Sequence, residues 1–258
     1  MIESGTLFPR ILIGFAQREI PMLQFLRSMV APSLLAGLVL STGCTWGMGG
    51  GQEEVTGMHG NFSRTVDIQT GVVQGDLERA RRAAAWLVEP ENRSTFPASA
   101  QAYQEEMLRQ ASGIAAAPDL ASVSAQAGQL AAACGSCHAA LDGGPRFVVG
   151  SDAPQGRSQE AHMVRHIWAA DRMWEGLVGP SEEAWLAGAE SLSGTGPGLT
   201  EAFRTSFPTG VLAGFLEEVN ALANEAMASD EPGERADVYG RILDTCRRCH
   251  AAIGATPR

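Results

Sequence analysis

The chain has 258 residues, 45% of them apolar, enough for one large or two ordinary domains with a real core. Its 29 acidic residues outweigh 19 basic ones, for a formal charge of −10. That sign excludes a nucleic-acid binder and asks any charged partner for a basic docking surface. All the basic residues are arginine, which reads as a codon bias and carries no functional weight.

The N-terminal segment reads as an address. From Met22, "MLQFLRSMVAPSLLAGLVLSTGC" sets Arg27 ahead of an apolar run from Met29 to Leu40, with Ser41, Thr42 and Gly43 before Cys44. A charge, a short apolar stretch and small residues make a bacterial export signal, and the stretch is shorter than the about 20 residues of a membrane-spanning helix. Residues 1–43 are therefore expected to be a signal and processing segment, with translation starting at Met1 or Met22. The small residues before a cysteine resemble a lipoprotein processing box, which implies a lipidated Cys44 tethered to a membrane. Ser41 stands where that box usually has leucine, so an ordinary signal cut nearby is the alternative. Either route predicts an exported, periplasmic protein. The Gly-rich residues 44–51 are expected to be a flexible tether.

Beyond the tether the sequence repeats itself. Met58 to Leu87 aligns without a gap with Met163 to Leu192, Phe96-Pro97 is answered by Phe207-Pro208, and "CGSCH" from Cys134 is answered by "CRRCH" from Cys246. Three landmarks in one order at nearly one spacing indicate a duplication. The expected units are 52–141 and 158–254, joined by a Gly- and Pro-rich linker at 142–157.

Within each unit the pattern is helical, and no run alternates with strand period over a useful length. Helices are predicted at about 52–74, 76–88, 97–117 and 118–140, with Asp76, Pro97 and Pro118-Asp119 as start signals. The second unit repeats them at about 158–179, 181–193, 208–228 and 232–252. Short connections predict an all-α fold of two tandem four-helix bundles. The stretch 193–207 is the longest connection.

On a helix, positions i, i+3 and i+4 share a face, so Cys134, Cys137 and His138 point together, as do Cys246, Cys249 and His250. The stripe continues through Val123, Ala127 and Leu130, and through Tyr239, Ile242 and Leu243, which turns all three motif side chains inward. Cys-x-x-Cys-His is the arrangement for attaching haem c: each thiol adds to a vinyl group and the histidine gives an axial nitrogen to iron. Two copies at equivalent places in a repeat do not arise by chance. A four-cysteine zinc site needs both cysteine pairs to converge and leaves the histidines unexplained. A thiol–disulfide centre normally opens a helix, where the helix N-terminus lowers the thiol pKa, whereas both motifs here close one.

A four-helix unit with this motif near the end of its last helix resembles the cytochrome c′ family, the class II c-type cytochromes, here as a tandem pair. Class I cytochromes c carry the motif early in the domain instead. The resemblance covers residues 52–254, its specific part being the two pentapeptides and their placement. It implies two covalently bound haem c groups, with Cys134, Cys137, Cys246 and Cys249 as thioether residues and His138 and His250 as proximal iron ligands. In that family a first-helix side chain faces the sixth iron position: an apolar one leaves iron five-coordinate, and a methionine closes it. The candidates here are Met58 and His59 in the first unit, and His162, Met163 and His166 in the second. Met58 and Met163 are counterparts in the repeat, while Asn61 and His166 lie nearer the expected depth. His166 is the first choice for the second haem, Met58 or His59 for the first.

The expected function is a dihaem electron carrier without substrate turnover, hence not an enzyme, serving a redox partner protein with a basic docking surface. The alternatives are a five-coordinate haem protein that binds or senses nitric oxide or carbon monoxide, and a peroxide-reducing enzyme with His59 as its acid–base residue. Trp86, Trp168, Trp174 and Trp185 are expected to fill cores or cover haem edges, and Arg247 and Arg248 to pair with propionates or lie exposed.

Overall fold

Runs rich in alanine, leucine and glutamate, punctuated by side-chain caps and Gly or Pro turns, set the helices of this chain in a computed structural model. It describes residues 51–93, 96–147, 152–156, 158–193 and 210–254. These carry eight α-helices and no strand: α1 (Gly51–Gln74), α2 (Leu77–Val88), α3 (Gln101–Ala116), α4 (Leu120–Ala140), α5 (Gln159–Val178), α6 (Glu182–Ser193), α7 (Val211–Met227) and α8 (Pro232–Ala252). The fold is all-α, as the sequence predicts, and most helix ends fall within two residues of expectation. Asp76, Asp119 and Ser158 cap α2, α4 and α5 by accepting from the backbone N–H three residues on. The third helix starts later than expected, because Pro97 is extended (ψ 156°) and a 3₁₀ turn, Ala98–Ala100, precedes α3. The predicted signal and processing segment, the tether up to residue 50 and most of the connection 193–207 lie outside the described residues.

Each repeat packs its four helices in chain order, and its first helix touches its last. The repeats also pack on each other, and their described residues belong to one compact unit. The most extensive helix pairing in it is α4 on α8, flanked by α1 on α8 and α4 on α5. One apolar cluster runs through both repeats, joining Ile68 and Val72 of α1, Leu130 of α4, Trp174 and Leu177 of α5, and Ile242 and Leu243 of α8.

The α4–α8 crossing is antiparallel and symmetric. Gly128 and Gly240 stand 112 residues apart, the separation of Cys134 from Cys246. Gly128 lies against Ala236, and Gly240 against Ser124; Ala236 is itself the counterpart of Ser124. A Cβ at Gly128 would sit 2.1 Å from the Ala236 carbonyl oxygen, and one at Gly240 would sit 2.8 Å from that of Ser124. Bare backbone at both points lets the motif helices touch, so the two repeats meet about a pseudo-two-fold axis. No described helix is long and apolar enough to cross a membrane.

Candidate functional site

Both motifs close the helices that form this central pair. In α4 the fully buried Val123, Ala127 and Leu130 lead to Cys134, and in α8 Tyr239, Ile242 and Leu243 lead to Cys246; both cysteines pack against the core. Cys137, His138, Cys249 and His250 are half-buried. All four cysteines are thiols, not disulfides. Burial, and then the neighbouring Cys137, pushes the Cys134 thiol up to about 12; burial and then Cys249 does the same to Cys246. Burial also raises Cys137 and Cys249. The negative end of the helix dipole adds to this preference for the neutral thiol. A thiol–disulfide centre needs the reverse, a thiolate at an electropositive helix start.

The histidines show how the repeats share their sites. His138 Nδ1 donates to the carbonyl of Val178, at 2.7 Å, and His250 Nδ1 donates to that of Val73, at 3.1 Å. A carbonyl only accepts, so in each neutral ring the proton sits on Nδ1 and Nε2 keeps its lone pair. A carbonyl on Nδ1–H is the kind of partner that fixes the ring orientation of a metal-ligating imidazole.

The first-helix candidates are placed unequally. His162 and His166 lie against each other on α5, with ring centroids 4.3 Å apart and ring planes tilted by 49°. His166 Nε2 is enclosed and has no hydrogen-bond partner. Burial, reinforced by His162, Arg165 and His250, drives the His166 pKa down to about 3. Met163 is half-buried on the same helix. In the first repeat, Met58 is half-buried, His59 is exposed, and Asn61, the counterpart of His166, is 8% exposed.

The linker closes over the first motif. Gly143 N–H donates to the His138 carbonyl at 2.9 Å, Phe147 packs on Phe62 with ring centroids 6.1 Å apart, and Asp142, Pro145, Arg146 and Phe147 line a cleft with His138 and Pro180. Gly144 has φ +94°, and a Cβ there would lie 2.3 Å from His138 Cγ. Gly144→Ala is expected to push the His138 ring off Val178. In protein labelled with ¹⁵N-histidine the His138 Nδ1 resonance should move while that of His250 stays.

Sequence reasoning missed why the first motif reads Cys-Gly-Ser-Cys. Gly135 lies where a Cβ would come within 2.0 Å of the Leu177 carbonyl, so α4 passes α5 on bare backbone. The missed Gly128 and Gly240 did leave a signal, since an interior helical glycine retained in both copies needs a packing reason. Trp174 and Trp185 fill the core, while Trp86 and Trp168 are half-buried. Arg247 pairs with Asp244 at 2.7 Å, and Arg248 with Asp244 and Glu218. Among the described residues no three His, Cys, Asp or Glu side chains converge as a cage for a bare metal ion. Haem iron needs no such cage, since the porphyrin brings four of its nitrogens and the protein supplies only axial ligands. Two inward cysteines, an oriented imidazole and, on α5 of the second repeat, an enclosed His166 Nε2 without a hydrogen-bond partner are a donor set that fits this group. In comparisons with family models, curated proteins and solved structures, nothing matches the chain.

Proposed function

We propose that this chain is a dihaem c-type cytochrome that carries electrons on the periplasmic side of a bacterial membrane, built as two tandem cytochrome c′-like four-helix bundles. One observation carries the reading: both Cys-x-x-Cys-His motifs close the last helix of a duplicated unit, and both histidines hold Nδ1–H on a carbonyl so that Nε2 faces away bare. Cys134 and Cys137 would hold one haem and Cys246 and Cys249 the other, with His138 and His250 as proximal ligands. A bound haem supplies an iron that alternates between Fe(II) and Fe(III). The four cysteines would hold that group covalently, and the Val178 and Val73 carbonyls would fix the orientation of the two histidines that bind it.

The enclosed, unpartnered Nε2 of His166 supports that residue as the distal ligand of the second site, with Met163 as the residue to test next. Met58 is the corresponding candidate in the first site. The partner is a redox protein with a basic docking surface, and the export signal with Cys44 would supply the periplasmic address and a membrane tether. Asn61, buried where the second repeat has His166, favours a second reading for the first site alone: a five-coordinate iron open to carbon monoxide or nitric oxide. The peroxide-reducing alternative depends on His59, whose side chain is exposed.

The test is the protein matured in an exporting host. Pyridine haemochrome quantitation should give two covalent haems per chain, and paramagnetic resonance at least one low-spin centre that ignores carbon monoxide. A chain that leaves the host without covalent haem refutes the proposal.

A further inference from the structure

We infer that each motif histidine is positioned by the other repeat, so that the two iron sites are built and tuned across the repeat boundary; this rests on the haem reading above. His138 belongs to the first repeat and bonds Val178 of α5 in the second; His250 belongs to the second and bonds Val73 of α1 in the first. Val73 and Val178 are counterparts at the 105-residue spacing that relates Met58 to Met163, and His138 and His250 are counterparts at the 112-residue spacing of the motifs. Two hydrogen bonds related by the pseudo-two-fold axis are a designed feature of the interface.

The carbonyls are available because they end helices. The last four C=O groups of an α-helix have no partner within it. In α1 the closing turn uses Val72 and Gly71, which accept from Gly75 and Asp76; in α5 it uses Glu175 and Gly176, which accept from Gly179 and Ser181. Val73 and Val178 are left to accept from an imidazole. The negative end of a helix dipole lies behind each of them, and it draws the Nδ1 proton and strengthens Nε2 as an electron donor. The turn after α1 thus belongs in sequence to the first repeat and in function to the second site. It is also remote from its own repeat's distal position, since Asn61 precedes Val73 by twelve residues, about 18 Å of helix.

Gly75 gives a handle on this carbonyl. It ends α1 at φ +75°, a conformation that a β-branched residue resists and asparagine tolerates. Gly75→Val must rearrange the last turn of α1, and Gly75→Ala does so more mildly if the valine chain fails to fold. In ¹⁵N-histidine-labelled full-length protein the expected result is a shift and loss of exchange protection at His250 Nδ1–H with His138 unmoved, and Gly75→Asn should restore the original signal. In the haem-loaded chain the second haem's potential should rise and the first stay, the two being assigned with a Cys246→Ala/Cys249→Ala chain that keeps only the first. A response at His138 or the first haem, equal responses at both, or an unmoved His250 overturns the inference. Absence of covalent haem would instead refute the proposed function, and the histidine resonances of the unloaded chain would still decide the cross-repeat bond.

Discussion

Gly128→Ala is expected to cost about 3 kcal/mol, the upper end of what overpacking costs, and to lower the thermal midpoint by about 6–12 °C for a domain of this size. The added methyl would meet the Ala236 carbonyl at 2.1 Å, and the next nearest atoms are the Ala236 carbonyl carbon and the Gly240 amide. All three are backbone, so no side chain can swing aside and α4 must move off α8. Gly240→Ala should cost less, since its nearest neighbours are the Ser124 oxygen at 2.8 Å and the Ala125 Cα at 3.0 Å. Gly214→Ala is the control: nothing lies within 4 Å of that position on α7, and gaining alanine's helix propensity should stabilise by up to about 1 kcal/mol. Separating the motif helices also pulls each histidine from a carbonyl across the interface. Gly128→Ala should therefore disturb His138 and His250 together, whereas Gly75→Val should touch His250 alone. Differential scanning calorimetry of the three alanine chains checks the order; equal midpoints for Gly128→Ala and Gly214→Ala would sink the close-contact account.

How much of the fold and the site is legible in the sequence depends on what each signal encodes. Asp76 and Asp119 announce helix starts because a helix end needs its first N–H groups satisfied, a local requirement. The start of α3 lies beyond the expected Pro97 because Ala98–Ala100 forms a 3₁₀ turn and no side chain caps α3 itself. The motif residues are legible because their chemistry demands fixed spacing. Their surroundings are not, because an apolar helix face tells that it is covered without telling by which helix. Besides the paired glycines, a hint is in α4, where Val123, Ala127, Gly128, Leu130, Ala131, Ala132 and Ala133 are all buried. A helix apolar nearly all round lies inside a structure and not at its edge, which places α4 between α1, α3, α5 and α8. The exchange of carbonyls between repeats has no sequence signal, since any residue supplies a C=O.

His166→Leu should act in opposite directions on the unloaded and the haem-loaded chain. The ring's Nε2 is enclosed without a hydrogen-bond partner, and an unsatisfied buried polar atom costs about 1–3 kcal/mol. Leucine fills similar space with no polar atom, so the unloaded chain should gain up to that amount, read as a higher urea midpoint at unchanged slope. In the haem-loaded chain the same change removes the nitrogen proposed as the distal ligand of the second site. The second haem should turn from low-spin to high-spin and take up carbon monoxide, one equivalent per chain beyond what the first haem takes, while covalent haem content stays at two. A residue that weakens the bare fold and completes the loaded site is held by function, since packing alone would favour the leucine. If His166→Leu raises the urea midpoint but leaves carbon monoxide uptake unchanged, His166 is no ligand, and Met163→Leu becomes the test of the second site. If it lowers the midpoint instead, the ring has a partner in solution and Nε2 was never free to ligate.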